Sequence, residues 1–239
     1  MSMLTVTTYG RSGGSARVRV FDWLDWLHAE ADSVTYVDTS DNAPRTLLCR
    51  PGAVVAAEWQ LRRLLPRVRE HTLLLSRQAS PFSRGALEGS LLSAASRGVY
   101  DFDDALYLRE ADTRWSHKST VWRAAVRAAE VVIAGNATLA DHASELNDHV
   151  VVIPSCLDPG RYERKRDFEW QGAPRAVWIG SPSTERHLRD IAASLLRVHE
   201  DRGLTMTVIS AGAAPLGDLD RMVTRVPWTL DTFAVELAR

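Results

Sequence analysis

Cysteine is nearly absent. Cys49 and Cys156 are the two in the 239-residue chain; they share no CxxC spacing and no histidine cluster stands beside them, which excludes a disulfide framework and a zinc site. They read as reduced, partly buried thiols of a cytoplasmic protein. An excess of one charge is also lacking: Lys and Arg number 29 against 30 Asp and Glu, a formal net charge of −1. That excludes a generally basic nucleic-acid binder and leaves room only for a local basic patch. No run of about 18 apolar residues occurs, so no transmembrane helix is expected. The opening MSMLTVTTYGRSGGS lacks the apolar core of a signal peptide. Asn136-Ala137-Thr138 matches a glycosylation sequon, an incidental match in a cytoplasmic chain. The seven histidines do not fall at metal-ligand spacings, and no Ser-His-Asp arrangement can be read from their order.

What is present is ordinary for a globular chain: 45% apolar and 25% charged residues, with length enough for one large or two small domains. Strand and helix signals alternate. Residues 4–9, 34–37, 71–76, 131–134 and 150–153 read as strands, and 58–70, 84–95, 118–129 and 139–146 as helices. Val20, Trp23, Leu24 and Leu27 share one helical face after the first strand. Trp23, Trp26, Trp59 and Trp122 fall in amphipathic helices, where core packing is expected. The segment 154–174 is polar, charged and broken by Pro and Gly, and reads as a linker. The pattern then restarts with strand 175–180 and helix 185–199, on which Leu188, Ile191, Ala192 and Leu195 share a face. Strand 206–210, a short helix at 219–222, strand 223–228 and a last helix at 229–238 follow. Repeated apolar strands alternating with helices predict an α/β fold with parallel sheets: a first domain at 1–154, a linker at 155–174 and a second domain at 175–239.

Three stretches have the residue types that chemistry needs. GSPST at 180–184 lies between a strand and a helix. Gly180 would let backbone come close to a ligand, and Ser181, Ser183 and Thr184 would add hydroxyl donors, a phosphate cradle. Taken alone, the stretch reads equally as a helix capped by Ser183 or Thr184, the more common use of such a turn. GRSGGS at 10–15 is a second Gly-rich turn without the full GxGxxG spacing. Gly13, Gly14 and Ser15 could meet a ligand, with Arg11, Arg17 and Arg19 supplying charge; the plainer reading is a flexible loop and a solvated basic face. DFDD at 101–104 is open three ways. Asp101 and Asp103 fit a DxD cation site, the acidic pair could orient a hydroxyl or act as a base, or the stretch is a polar loop. Asp103 and Asp104 are adjacent, so in an extended chain one of them at most faces a given ligand.

Taken in order, LLLSRQASPFSRGALEGSLL, GVYDFDDALYL, AAEVVIAGNATLADHASE, VVVIPSCLDPGRYERK and AVWIGSPSTERHLRDIAASL resemble the retaining GT-B glycosyltransferases of the group 1 type (glycosyltransferase family 4). The ordered set carries the resemblance rather than any single motif. It implies two Rossmann-like domains, with the acceptor mainly on the first and the nucleotide-sugar donor on the second. It implies catalytic roles for Asp103 and Asp104. Donor binding would fall to Gly180, Ser181, Ser183 and Thr184, with Gly13, Gly14 and Ser15 approaching the same phosphates from the facing domain. No cofactor and no metal at Asp101, Asp103 or Asp104 is implied, since helix ends and basic residues replace the cation in that family. Domain closure would exclude water from the donor. The family's donor domain is longer than the segment present here. The second domain is therefore expected to be incomplete, with weak activity. Its open strand edge and the apolar residues Val226, Trp228, Phe233, Val235 and Leu237 invite self-association or a partner fragment.

Overall fold

A computed structural model describes residues 2–37, 44–109, 117–164, 166, 169 and 172–238. The chain forms two compact units, Met1–Leu157 and Asp158–Arg239. Residues 165, 167, 168, 170 and 171 of the expected linker lie outside the described residues.

The first unit is an α/β layer structure. Its strands are β1 (Ser2–Thr7), β2 (Ala31–Thr35), β3 (His71–Ser76), β4 (Arg97–Phe102), β5 (Val131–Ala134) and β6 (Val150–Val152). They pair in the order β2-β1-β3-β4-β5-β6, and every pair is parallel. Side chains alternate across the sheet as strand geometry requires. Leu4, Val6, Leu73 and Leu75 enter the main core, while Met3 and Leu74 turn to the other face.

The helices of this unit are α1 (Gly14–Ala16), which runs through a π-helical turn (Arg17–Phe21) into α2 (Asp22–Trp26), then α3 (Pro44–Leu47), α4 (Pro51–Arg67), α5 (Ala86–Ala94), α6 (Lys118–Ala128) and α7 (Ala137–Ser144). The main core takes Leu61 and Leu64 from α4, Leu91 and Leu92 from α5, and Trp122, Ala125 and Val126 from α6. The smaller core on the opposite face takes Ala16, Val20, Phe21 and Leu24. Asn136, read as part of an incidental sequon, caps α7: its side chain accepts from the Leu139 N–H at 2.9 Å.

Several expectations from helical periodicity are corrected. Trp26 and Trp59 are 66% and 56% exposed rather than packed in the core. α4 turns Ala57, Leu61 and Leu64 inward, which leaves Trp59 outside beneath the Arg63 guanidinium, 3.5 Å from its ring centre. Leu27 is 58% exposed and lies past the end of α2. Val20 and Leu24 do share a face, in the smaller core; Leu27 falls outside it because the helix ends at Trp26. Cys49 and Cys156, read as partly buried, are both exposed.

The second unit has three parallel strands, β7 (Arg175–Ile179), β8 (Thr205–Ser210) and β9 (Val223–Pro227), in sequence order. One face packs on Leu188, Leu204, Leu216, Leu219 and Met222. The expected helix 185–199 is broken. A 3-10 turn (Pro182–Thr184) leads to α8 (Arg186–Asp190), Ile191 leaves helical geometry at ψ 10°, and α9 (Ala192–Arg202) resumes. Of the four residues expected to share a face, Leu188, Ala192 and Leu195 pack on this core, and Ile191 is 50% exposed. α9 ends at Gly203, whose φ of +70° closes it in the left-handed region. α10 (Phe233–Ala238) follows β9. Phe233, expected on an open apolar face, is buried and stacks on Trp228 at 5.8 Å. Val177, Ile179 and Val235 are the exposed large apolar residues of this unit's strands and last helix.

A buried ion pair holds the start of α8 against the sheet. Glu185 is 2% exposed and accepts from both Nη atoms of Arg225 on β9, at 3.2 and 3.0 Å. The Arg225 guanidinium holds the Glu185 carboxyl below its ordinary range, against the opposing effect of burial. A folded-state value below the unfolded one means the pair stabilises at neutral pH and loses that contribution as pH falls below about 4. Glu185→Gln is expected to lower stability by about 2 kcal/mol at neutral pH and by less at pH ~3. Urea denaturation of both proteins at the two pH values measures it.

Candidate functional site

In a parallel sheet ordered β2-β1-β3, the connections diverge between β1 and β3 and leave a crevice outside the carboxyl ends of those strands. Arg77 stands at that point, directly after β3. Its φ is +64°, a left-handed conformation that costs a residue with a Cβ roughly 1–2 kcal/mol. The surroundings over-determine it. Its N–H donates to the Asp101 carbonyl at 2.8 Å, and its carbonyl accepts from the hydroxyl of fully buried Tyr100 at 2.8 Å. The following loop is fixed from α5 by Glu88, 0% exposed, which accepts from the N–H groups of Ala79 and Ser80 and from the Ser83 hydroxyl. Burial pushes the Glu88 carboxyl above its ordinary range, and those hydrogen bonds oppose the shift.

Held in this way, the Arg77 Nη1 meets three sequence-distant groups. It lies 2.9 Å from Ser15 Oγ, 3.2 Å from Asp103 Oδ1 and 2.5 Å from Asp104 Oδ2. Both aspartates therefore face one partner, a correction to the expectation that adjacent residues must diverge. The chain leaves β4 at Phe102, so strand alternation does not apply beyond it. Asp103 is mostly covered, at 17% side-chain exposure, whereas Asp104 is open at 59%. One cation facing two carboxylates leaves a net negative point. It suits ligand hydroxyls, which donate to carboxylates, better than it suits phosphate.

Asp101 is not available to a ligand or a DxD cation site. It is 2% exposed and buried against Arg19, 6% exposed. The Arg19 guanidinium donates to Asp101 through Nε at 3.1 Å and through Nη2, and through Nη1 to the Ile153 carbonyl at 2.5 Å. Ser76 adds its hydroxyl to Asp101 at 3.3 Å. Burial pushes the Asp101 carboxyl up, against the pull of Arg19. Arg19 was expected on a solvated basic face; the π turn on which it lies brings it inward instead. Among the described residues, no group of three His, Cys, Asp or Glu side chains lies together as metal ligands would.

The glycines of the first loop differ. A Cβ at Gly13 would come 2.4 Å from Tyr9 Cβ, so packing alone requires glycine there, whereas Gly14 has open space. In the second unit, Gly180 is crossed by the Trp178 ring: a Cβ would meet it at 2.6 Å, and Thr184 Oγ1 at 3.0 Å. The hydroxyls of the GSPST turn bond locally. Ser181 Oγ lies 2.9 Å from Ser183 Oγ and 3.2 Å from Thr184 Oγ1, and Thr184 Oγ1 accepts from the Ser181 N–H at 3.2 Å. Gly180→Val would thus disturb packing as well as any ligand. Glu185 does not face this turn; its carboxylate is committed to Arg225.

The fold and these clusters define a two-unit α/β protein with Rossmann-like parallel sheets. The structure brings Ser15, Asp103 and Asp104 together in the first unit and places Gly180–Thr184 in a turn of the second. Sequence reading missed Arg77, which links the first group. Its one signal was a basic residue ending an apolar strand. No family model matches the chain, and no curated protein matches it. Among solved structures it is similar to a Glycosylation Associate Protein (Gap123) complex from Streptococcus agalactiae, at 12% identity and a TM-score of 0.32. The match covers 68% of this chain and 30% of that one.

Arg19→Ala would strand the buried Asp101 carboxylate. The expected loss is about 3–5 kcal/mol, with much of it regained when Asp101 is also replaced by an apolar residue of similar size. Urea denaturation of Arg19→Ala, Asp101→Leu and the double variant checks it; additive losses would show that the pair is not the cause.

Proposed function

We propose that this chain is a glycosyltransferase of the GT-B, group 1 type, which moves a sugar from a nucleotide-sugar donor to an acceptor. The observation that supports it is the convergence of Ser15, Asp103 and Asp104 on Arg77 beside the sheet's switch point. These residues lie on the Gly-rich loop and the acidic segment to which the sequence resemblance gives those roles. In such a transfer the bond from the anomeric carbon to the donor phosphate breaks, and its electron pair stays with the nucleoside diphosphate. The acceptor oxygen bonds to the anomeric carbon and its hydroxyl proton leaves. Asp104, the open carboxylate, would orient or deprotonate a hydroxyl, and Asp103 would fix a second one. In this reading Gly180, Ser181, Ser183 and Thr184 serve the donor diphosphate, where negative charge grows.

A second reading is favoured by one observation. The hydroxyls of the 181–184 turn already bond one another in a capping box, which leaves them less available to a donor diphosphate and favours a non-catalytic relative that binds a nucleotide, a sugar or a partner.

Release of UDP or GDP from nucleotide sugars tests the first reading. Asp104→Asn is expected to lower turnover about a hundredfold or more without loss of stability, because the side chain is 59% exposed. Unchanged turnover in a folded Asp103→Asn/Asp104→Asn protein would remove both residues from catalysis. A wild-type chain that binds UDP or GDP in calorimetry yet releases none from any donor would establish the second reading.

A further inference from the structure

α4 turns Ala57, Leu61 and Leu64 inward to the main core. A surface helix ordinarily sets polar residues opposite such a face. Here Val55 and Trp59 stand opposite it, 68% and 56% exposed, in line with Arg62 and Pro66 at helical spacing. α4 and the 3-10 turn after it (Val68–Glu70) also expose Arg62, Arg63, Arg67 and Arg69. Of the two carboxylates in 51–70, Glu58 turns to the hydroxyls of Tyr36 and Ser80, and Glu70 stays outside. Arg67 meets Asp32 of β2 at 3.0 Å. The outward surface is therefore apolar in its first half and basic in its second.

Two features of this surface set the kind of partner. The Arg63 guanidinium lies over the Trp59 ring, 3.5 Å from its centre, so cation and aromatic share one level along the helix. Beside the basic half, α4 and α5 border a groove of about 620 Å³ lined by Leu65, Pro66, Arg69, Ser90, Ser93 and Ala94. One guanidinium, two hydroxyls and apolar walls suit a phosphate headgroup with its first methylenes alongside. The guanidiniums themselves are exposed. A specific small ligand needs donors held in place, whereas in a fluid layer of anionic headgroups the lipids move to the charges. A nucleic-acid backbone would leave Val55 and Trp59 idle. A bilayer uses both, since tryptophan settles at headgroup level and arginines draw anionic lipid.

We infer that the outward face of α4 docks on an anionic lipid bilayer, with Val55 and Trp59 at the acyl boundary and Arg62, Arg63 and Arg69 among the phosphates. The helix lies along the surface rather than across it, because its inner face is committed to the core. This face is separate in residues from the Arg77 cluster and from the 180–184 turn, and it does not depend on the transfer reading.

Co-sedimentation of the full chain with vesicles, without nucleotide, tests it, so its outcome is independent of any donor chemistry. Vesicles of phosphatidylcholine mixed with phosphatidylglycerol are expected to bind the chain and phosphatidylcholine alone is not, with binding falling as salt rises. Arg62→Gln/Arg63→Gln should weaken binding about tenfold or more. Trp59→Ser, which leaves the charge unchanged, should weaken it about fivefold or more. Arg197→Gln/Arg202→Gln, at exposed positions of α9 and with the same loss of charge, should leave it unchanged. Brominated lipid should quench the tryptophan emission of the wild-type chain more than that of Trp59→Phe. Thermal unfolding confirms that each variant is folded, and the two α4 variants are read separately. No binding to anionic vesicles, binding unchanged in either folded α4 variant, or binding that the α9 pair weakens equally overturns the proposal. Self-association that Trp59→Ser abolishes, without vesicle binding, also overturns it and assigns the face to a second copy of the chain.

Discussion

The buried pair of Arg19 and Asp101 is the constraint on which the first unit depends. Two charges removed from water are tolerable only when each is fully engaged. Here Arg19 satisfies Asp101 at the end of β4 and the Ile153 carbonyl just past β6, while Ser76 completes Asp101 from the end of β3. One side chain from the first helical segment thus reaches the centre of the sheet and its last strand. The main chain of Asp101 in turn accepts from Arg77, so the residue that anchors the interior also sets the strained backbone at the rim. The geometry of Asp103 and Asp104 follows, because their positions beyond β4 are counted from a fixed Asp101.

Much of the first sheet was legible in the sequence for a simple reason. Segments 71–76 and 131–134 are short apolar runs bounded by polar residues, and strands buried in a parallel sheet commonly read in that way. Those two spans coincide with β3 and β5. Helix interiors were less legible where tertiary contacts decide the outcome. Ile191 interrupts α8 and α9 although no Pro or Gly stands there, and it leaves the core on which Leu188, Ala192 and Leu195 pack. Arg19 reads as a surface cation because its partner lies eighty-two positions away in sequence. Gly180 reads as a ligand-facing glycine because the ring that crosses it, Trp178, belongs to the strand just before it.

The candidate site was half legible. Asp103, Asp104 and Ser15 were singled out as chemical groups, but what joins them is a guanidinium whose placement requires a left-handed backbone at a non-glycine residue. No local pattern predicts that conformation; it exists because Tyr100, Asp101 and the Glu88-braced loop hold Arg77 on several sides. At Arg77 the protein supplies its own counter-ions in excess, which favours ligands that donate hydrogen bonds.

The π turn at Arg17–Phe21 has a consequence for sequence length. An α-helix rotates about 100° per residue and a π turn less, so deleting one residue within this turn would let it close to α geometry with the flanking turns nearly in phase, and the change would fall on the residues inside it. Arg19 stands at its centre and would lose the placement that reaches Asp101. Single-residue gaps between Gly14 and Trp26 should therefore be rarer among descendants of this sequence than substitutions at the same positions. The segment tolerates changes of letter more readily than changes of count.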